Sequence, residues 1–187
     1  MLTNDILNIV LPESSNAEGL ALMQTLEARH KIEPDPLLRL MAMSGRDEFA
    51  MAGLAKRLKL SNSEKARLLS WAGNQVAFSP DMKETTFLQG IYASTPQTAY
   101  DRMMVRAAGV ADPILAAAWV KQARFARDWP IPEFPLKGRD LKEAGVKDGP
   151  EMGKILRALK ELWIRSGFQA DKEKLLTALG LIHLKMR

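Results

Sequence analysis

The chain has 187 residues, with 27 Lys and Arg against 22 Asp and Glu, a formal net charge of +5, no cysteine and two histidines. That length accommodates one ordinary domain or two small ones. Without cysteine there is no disulfide framework, no thiol nucleophile and no Cys-built zinc site, and His30 and His183 alone cannot complete a three-ligand zinc centre.

In chain order the signals are helical. Leu20, Met23, Leu26 and Ala28 after Asn16, read as the cap, predict a helix over 17–29. Asp35 as cap and Pro36 at the first helical position predict a helix over 35–44. Phe49, Leu54 and Leu58 mark a short run over 48–58. Ser61 and Glu64 have capping-box spacing, and Leu68, Leu69, Ala72 and Val76 form the buried stripe of the helix that follows. Thr95-Pro96 and Asp112-Pro113 open helices over roughly 96–108 and 113–127, the first stopped by Gly109 in a left-handed turn. Trp129 to Pro135 holds three prolines in seven residues and reads as an extended connector. Helices at about 138–145, 150–166 and 172–180 follow, the last capped by Asp171. No strand pattern stands out. The expected fold is all-α, with a helical body over 1–128, a smaller helical tail over 129–187 and no significant sheet. The connector reads either as a boundary between the two or as a loop within one continuous domain.

The opening M-L-T-N-D-I-L lacks the pattern of a secretory signal, and no apolar run reaches the roughly 18 residues of a spanning helix. A cytoplasmic protein without a membrane partner is expected. Phosphate-loop, dinucleotide-binding, nucleophile-elbow and H-E-x-x-H patterns are absent, and neither histidine precedes an aspartate. Glu33 and Asp35 sit in a proline-broken turn, where capping by Asp35 fits better than a two-metal site; no metal is expected. His30 and His183 read as surface or packing residues.

Charge is segregated. Residues 1–37 carry six acids and two bases, a balance of −4, and the remainder carries +9. Such a distribution suits a polyanionic partner. Residues 134–163 are the most informative stretch. They read as a short helix, a tight hairpin ending in Asp148-Gly149-Pro150, and a long helix whose buried face holds Ile155, Leu156, Leu159, Leu162 and Trp163. The start of the long helix offers the N–H groups of Glu151, Met152 and Gly153 and roughly half a positive charge. Lys147 and Lys154 flank it, Lys137 and Arg139 enter from the preceding turn, and Gly149 and Gly153 let a backbone approach. The set suits a sugar–phosphate backbone and has no base-reading group. It equally fits plain helix capping with a solvated lysine fringe, and Glu151 already complements the dipole. Two further basic clusters, Lys56, Arg57, Lys59, Lys65 and Arg67, and Arg102, Arg106, Lys121, Arg124 and Arg127, read as solvated faces. Trp71, Trp119, Trp129 and Trp163 lie on or beside apolar stripes, so shape and backbone recognition of a folded RNA fits better than base stacking.

Leu136, Gly138, Asp140, Leu141, Gly145, Gly149, Pro150, Gly153, Leu156 and Leu159, followed by Trp163 and Gly167, resemble the C-terminal signature of bacterial CCA-adding enzymes of the tRNA nucleotidyltransferase/poly(A) polymerase family. V-L-P-E (Val10 to Glu13), D-P-L-L-R-L (Asp35 to Leu40) and L-A-K-R-L-K-L-S-N-S-E (Leu54 to Glu64) agree with it in order. The family's catalytic head, with its D-x-D metal pair, and the E-D-x-x-R neck element have no counterpart here; Glu161 to Arg165 keeps the outer residues of that element without its Asp. The resemblance thus implies the tRNA-gripping body and tail, inactive alone, whose partners are tRNA and the head of the same polypeptide. Mg and ATP or CTP would belong to that head, so no cofactor is expected in this chain. Lys137, Arg139, Lys147, Gly149, Gly153, Lys154 and Arg157 are the candidate backbone contacts. The alternative is a helical protein-interaction or regulatory module with incidental basic surface, in which the acidic segment docks a partner or packs on the chain's own basic side.

Overall fold

The computed structural model describes residues 11–14 and 18–185, with side chains through residue 180. Among these residues the chain is all-α. It has ten helices and, in place of a sheet, one isolated antiparallel bridge between Ser14 and Ser44. The helices are α1 (Gly19–His30), α2 (Pro36–Met43), α3 (Glu48–Arg57), α4 (Asn62–Gly73), α5 (Glu84–Ser94), α6 (Pro96–Ala108), α7 (Pro113–Asp128), α8 (Gly138–Glu143), α9 (Pro150–Arg165) and α10 (Lys172–Lys185). No described helix is long and apolar enough to cross a membrane.

Most helices begin where a side chain closes the first turn. Asp35 Oδ1 accepts from the Leu37 N–H at 2.9 Å and opens α2 with Pro36 behind it. Asp47 caps α3 through the Ala50 N–H at 2.8 Å. Ser61 and Glu64 close a reciprocal capping box on α4. Thr95 and Asp112 cap α6 and α7 ahead of prolines, and Asp171 accepts from the Lys174 N–H at the start of α10. Residues 129–137 between α7 and α8 carry neither helix nor strand.

The structure departs from the sequence expectations in several places. Asp5, Val10 and Asn16 and the side chain of His183 lie outside the described residues. The residue before α1 is Glu18, whose side chain makes no cap bond. On α1 the buried side chains are Met23, Leu26 and Glu27, while Ala28 faces out. Gly109 ends α6 with φ −84°, not in a left-handed turn; its N–H bonds back three residues to Arg106, so a tightened last turn terminates the helix. The inner face of α3 is Met51, Leu54 and Ala55, and Phe49 is 92% exposed. Val76 lies beyond the end of α4. On α9 Leu162 is 40% exposed and Met152 takes a buried place. Helix α5 answers to no predicted element.

The chain divides into two compact units, one of residues up to Met82 with Gly90–Trp129, the other of Lys83–Gln89 with the residues from Pro130 onward. Helix α5 contributes residues to both. In the first unit α1 packs on α2 so closely that a Cβ on Gly19 would lie 1.9 Å from the Ala42 carbonyl oxygen, which only glycine permits. The core there is Met23, Leu38, Met41, Met51, Leu54, Leu68, Trp71, Ile91, Met103 and Met104. A polar network runs through it. The Arg67 guanidinium on α4 donates to both oxygens of Asp101 on α6, at 2.8 and 2.7 Å, and to Asp35 Oδ2 at 2.6 Å. Asp101 is fully buried and also accepts from Gln97. Burial works to discharge Arg67, but its bonds to Asp101 and Asp35 outweigh that and hold it more firmly protonated than a free arginine. Glu27, also buried, accepts from Arg39 at 2.7 Å, and Glu13 accepts from Arg57. Three acids of the acidic N-terminal segment are thus paired with this chain's own arginines.

In the second unit Leu136, Leu141, Val146, Met152, Ile155, Leu159, Trp163, Leu175 and Leu179 are buried. Phe134 and Phe168 meet Trp163 edge-on, with centroids at 5.5 and 4.9 Å. Asp140, in the first turn of α8, is buried. It accepts from Lys172 Nζ at 2.6 Å and from the Lys137 N–H at 2.6 Å, which caps α8 and ties it to the start of α10. The Lys172 bond, then the Lys137 N–H, hold its carboxyl below the ordinary range.

Removing Arg67 strands a buried carboxylate. Arg67→Ala is expected to cost about 3 kcal/mol in urea unfolding; a loss under about 1 kcal/mol would contradict the role of this pair. Asp140 is depressed in the folded state, so its contribution is complete above the unfolded carboxyl value of about 3.9 and fades as pH falls below it. Thermal melts from pH 3 to 7 should show Asp140→Asn less stable at neutral pH and with a shallower acid limb.

Candidate nucleic-acid interface

The candidate contacts occupy the second unit, on α8, the hairpin after it and the first turns of α9. The hairpin forms because Val146 docks back into the core while its N–H bonds the Leu141 carbonyl at 2.9 Å. The chain then turns into α9 at Gly149, whose φ of +145° disfavours any side chain. Gly149 is also the cap of α9 and supplies no capping group of its own. The donors at this helix end are the N–H groups of Glu151, Met152 and Gly153. Gly153, the fourth helical residue, serves in a second way. Its value is space. A Cβ at Gly153 or Gly149 would meet nothing within 4 Å.

All of Lys137, Arg139, Lys147, Gly149, Gly153, Lys154 and Arg157 lie on the surface. Gly153, Lys154 and Arg157 share the face of α9 opposite its buried stripe of Met152, Ile155, Leu159 and Trp163. The turn carrying Lys137 and Arg139 lies against the start of α9, since a Cβ on Gly138 would be 3.6 Å from Met152 Sδ. Among the described residues Lys137, Lys147, Lys154 and Arg157 make no ion pair; Arg139 approaches Asp140 at 3.9 Å, and the nearby Lys142 is paired with Asp148 at 2.7 Å. Glu151 remains an exposed carboxylate in the first turn of α9. The arrangement offers cations and N–H donors on a solvent-facing helix end, suited to holding phosphate oxygens.

The other two clusters behave differently from each other. Arg67 turns inward to carboxylates, Arg57 pairs with Glu13 while staying exposed, and Lys56, Lys59 and Lys65 lie outside. In the later cluster Arg124 donates to the His30 carbonyl and Arg127 lies 4.9 Å from the Tyr100 ring centroid. Lys121 and Arg106 are exposed, and Arg102 is half-buried against Asn74. His30 is held below the ordinary imidazole value, first by burial and then by the Arg124 charge. Trp71, Trp119 and Trp163 are buried in cores, as their apolar settings predict. Two participants escaped the sequence reading. Lys172 is 32 residues from Asp140, and Arg46 is 28 from Asn74, so neither partnership leaves a local signal. No group of three or more metal-ligating side chains occurs among the described residues.

No family model matches the chain. A stretch of 51 residues, 27% of this chain, is 41% identical to CCA tRNA nucleotidyltransferase 1, mitochondrial, of Homo sapiens and covers 12% of that protein. The protein of the same name from Danio rerio is 43% identical over 54 residues, 29% of this chain and 12% of the relative. That from Mus musculus is 37% identical over 51 residues, 27% and 12%. The match therefore spans about 12% of the length of these curated relatives. Through that stretch the chain is related to the CCA tRNA nucleotidyltransferases.

Proposed function

We propose that this chain is the tRNA-gripping, C-terminal body and tail of a CCA-adding-type nucleotidyltransferase, a cytoplasmic protein that holds its RNA by the sugar–phosphate backbone. The body comprises residues 1–128 and the tail 129–187. The observation that carries the reading is the set of exposed cations, Lys137, Arg139, Lys147, Lys154 and Arg157, gathered around a helix start that glycine keeps open. Similarity to proteins named for tRNA supports the choice of RNA. Lysine and arginine at these positions neutralise phosphates and release counterions, which drives binding without reading sequence. The catalytic head, with Mg and ATP or CTP, lies outside this chain, and the chain contributes grip and orientation.

Electrophoretic shift with tRNA at increasing salt tests this. With about five phosphates neutralised, the affinity should fall with a log–log slope of about −4. Lys147→Glu with Lys154→Glu should weaken binding whatever the tRNA sequence and flatten the slope by about 2. Affinity and slope unchanged by that double reversal would remove the site. The chain alone, given tRNA, CTP, ATP and Mg, should incorporate no nucleotide, and incorporation would refute the division of labour.

A further inference from the structure

The first unit holds a cleft of about 590 Å³ lined by Arg46, Arg102, Arg106, Trp71, Trp119 and Ser79, among others. We propose that this cleft is a phosphate-binding site, separate from the face on α8 and α9, that takes a phosphate monoester, diester or pyrophosphate group between its arginines. It lies wholly within the first unit and does not depend on the tRNA reading.

The argument begins with charge. Three guanidinium groups line one cleft, and no acid is among the lining residues. Elsewhere in this unit partly buried arginines meet carboxylates, as Arg39 meets Glu27 and Arg67 meets Asp101 and Asp35. Arg46 and Arg102 do not. Arg46 donates to the Trp71 and Ala72 carbonyls at 3.4 and 3.3 Å and to that of Asn74. Arg102 donates through Nη1 to the same Asn74 carbonyl and, at 3.3 Å, to the Asn74 side-chain oxygen. Two full positive charges thus converge on one neutral oxygen at the end of α4. Burial pulls both guanidinium values down, and for Arg102 the charge of Arg46 adds to it. Nearby like charges without a counterion favour an anion bound between them.

Arginine capping of the carbonyls at a helix end accounts for part of this geometry. It does not use the remaining donors. A guanidinium has five N–H groups, and the Nε and Nη2 edge of Arg102 makes none of these bonds. Arg106, exposed on α6 four residues on, extends the cationic wall without capping anything. Trp71, whose indole Nε1 is buried away from solvent and has no acceptor, is another lining residue and reports on the cleft from the core side. Ser79 adds a hydroxyl, at present donated to Asp81. Planar guanidinium forks and a hydroxyl match the acceptor oxygens of phosphate.

The test is NMR on the full chain, following the Trp71 indole N–H, assigned with Trp71→Phe, during titration with inorganic pyrophosphate and separately with tRNA. The Trp71 signal should shift and saturate, and Arg106→Gln, a surface change that leaves the core intact, should weaken the pyrophosphate affinity about tenfold. Arg46→Gln should do the same, with its thermal melt recorded to separate binding from stability. A shift with pyrophosphate means that a free phosphate group suffices; a shift with tRNA alone means that the site takes the polynucleotide backbone. An indole signal unmoved by either, or an affinity unchanged in Arg106→Gln, overturns the proposal. Loss of tRNA binding in the Lys147 and Lys154 reversal with the pyrophosphate shift intact would leave this cleft standing on its own.

Discussion

One guanidinium organises the first unit. Arg67 sits between Asp101, fully buried on α6, and Asp35, which caps α2 with its other oxygen. Asp35 therefore joins a local task to a long-range one, and the start of α2, the middle of α4 and the face of α6 are fixed by a single cation. Along the same contact Ser70 meets Thr98 at 2.6 Å and Asn74 meets Arg102. Residues 67, 70 and 74 fall on one face of α4 and its end, and the pairs they form set the register of α4 against α6. The arginine-lined cleft depends on that register, because it places Arg102 beside the carbonyl that Arg46 also reaches.

The parts of this fold legible in the sequence are those settled within four residues. Asp35-Pro36, Thr95-Pro96, Asp112-Pro113 and the Ser61–Glu64 box each close a helix start with atoms a few bonds away, and each is found. Helix α5 was illegible because it contains two adjacent threonines and a mid-helix glycine, weak helix formers all. Tertiary packing sustains it, with the Val76 and Phe78 side chains filling the space where a Cβ on Gly90 would project. Phe49 failed for the opposite reason. Its position fits an apolar period, but the face that packs is the one carrying Met51, Leu54 and Ala55. At the candidate interface, surface placement followed from the buried stripe of α9, so the cations of that helix could be read in advance. The partners of Arg46, Arg67 and Lys172, 25 to 34 residues away, could not.

The same distinction separates charge counted from charge available. The acidic segment and the basic remainder suggest two opposed surfaces, yet Glu13, Glu27 and Asp35 are matched by Arg57, Arg39 and Arg67. Much of the segregation is used up in holding the first unit together. A docking surface made from this segment would have to rest on what stays exposed, such as Glu18 and Glu33. The basic clusters shrink in the same way, because arginines that read as surface charge turn out to hold carboxylates, carbonyls or a tyrosine ring.

What remains is two kinds of cation. On α8, the hairpin and α9 the charges are mostly lysines on long exposed stems, which attract a polyanion from a distance but lose side-chain freedom when they grip it. Such a surface tolerates variation in the path of an RNA backbone and gives affinity that salt erodes. In the cleft of the first unit Arg46 and Arg102 are already held by carbonyls, so these two have little freedom left to lose on contact with a ligand. Their planar donors are directional, and they share the cleft with Trp71 and Trp119. A fringe of mobile lysines suits capture of an extended chain; a fixed pair of guanidiniums in a cleft suits one phosphate held in one place. The two arrangements differ in the entropy each has already lost on folding, and that difference suits them to different kinds of ligand contact.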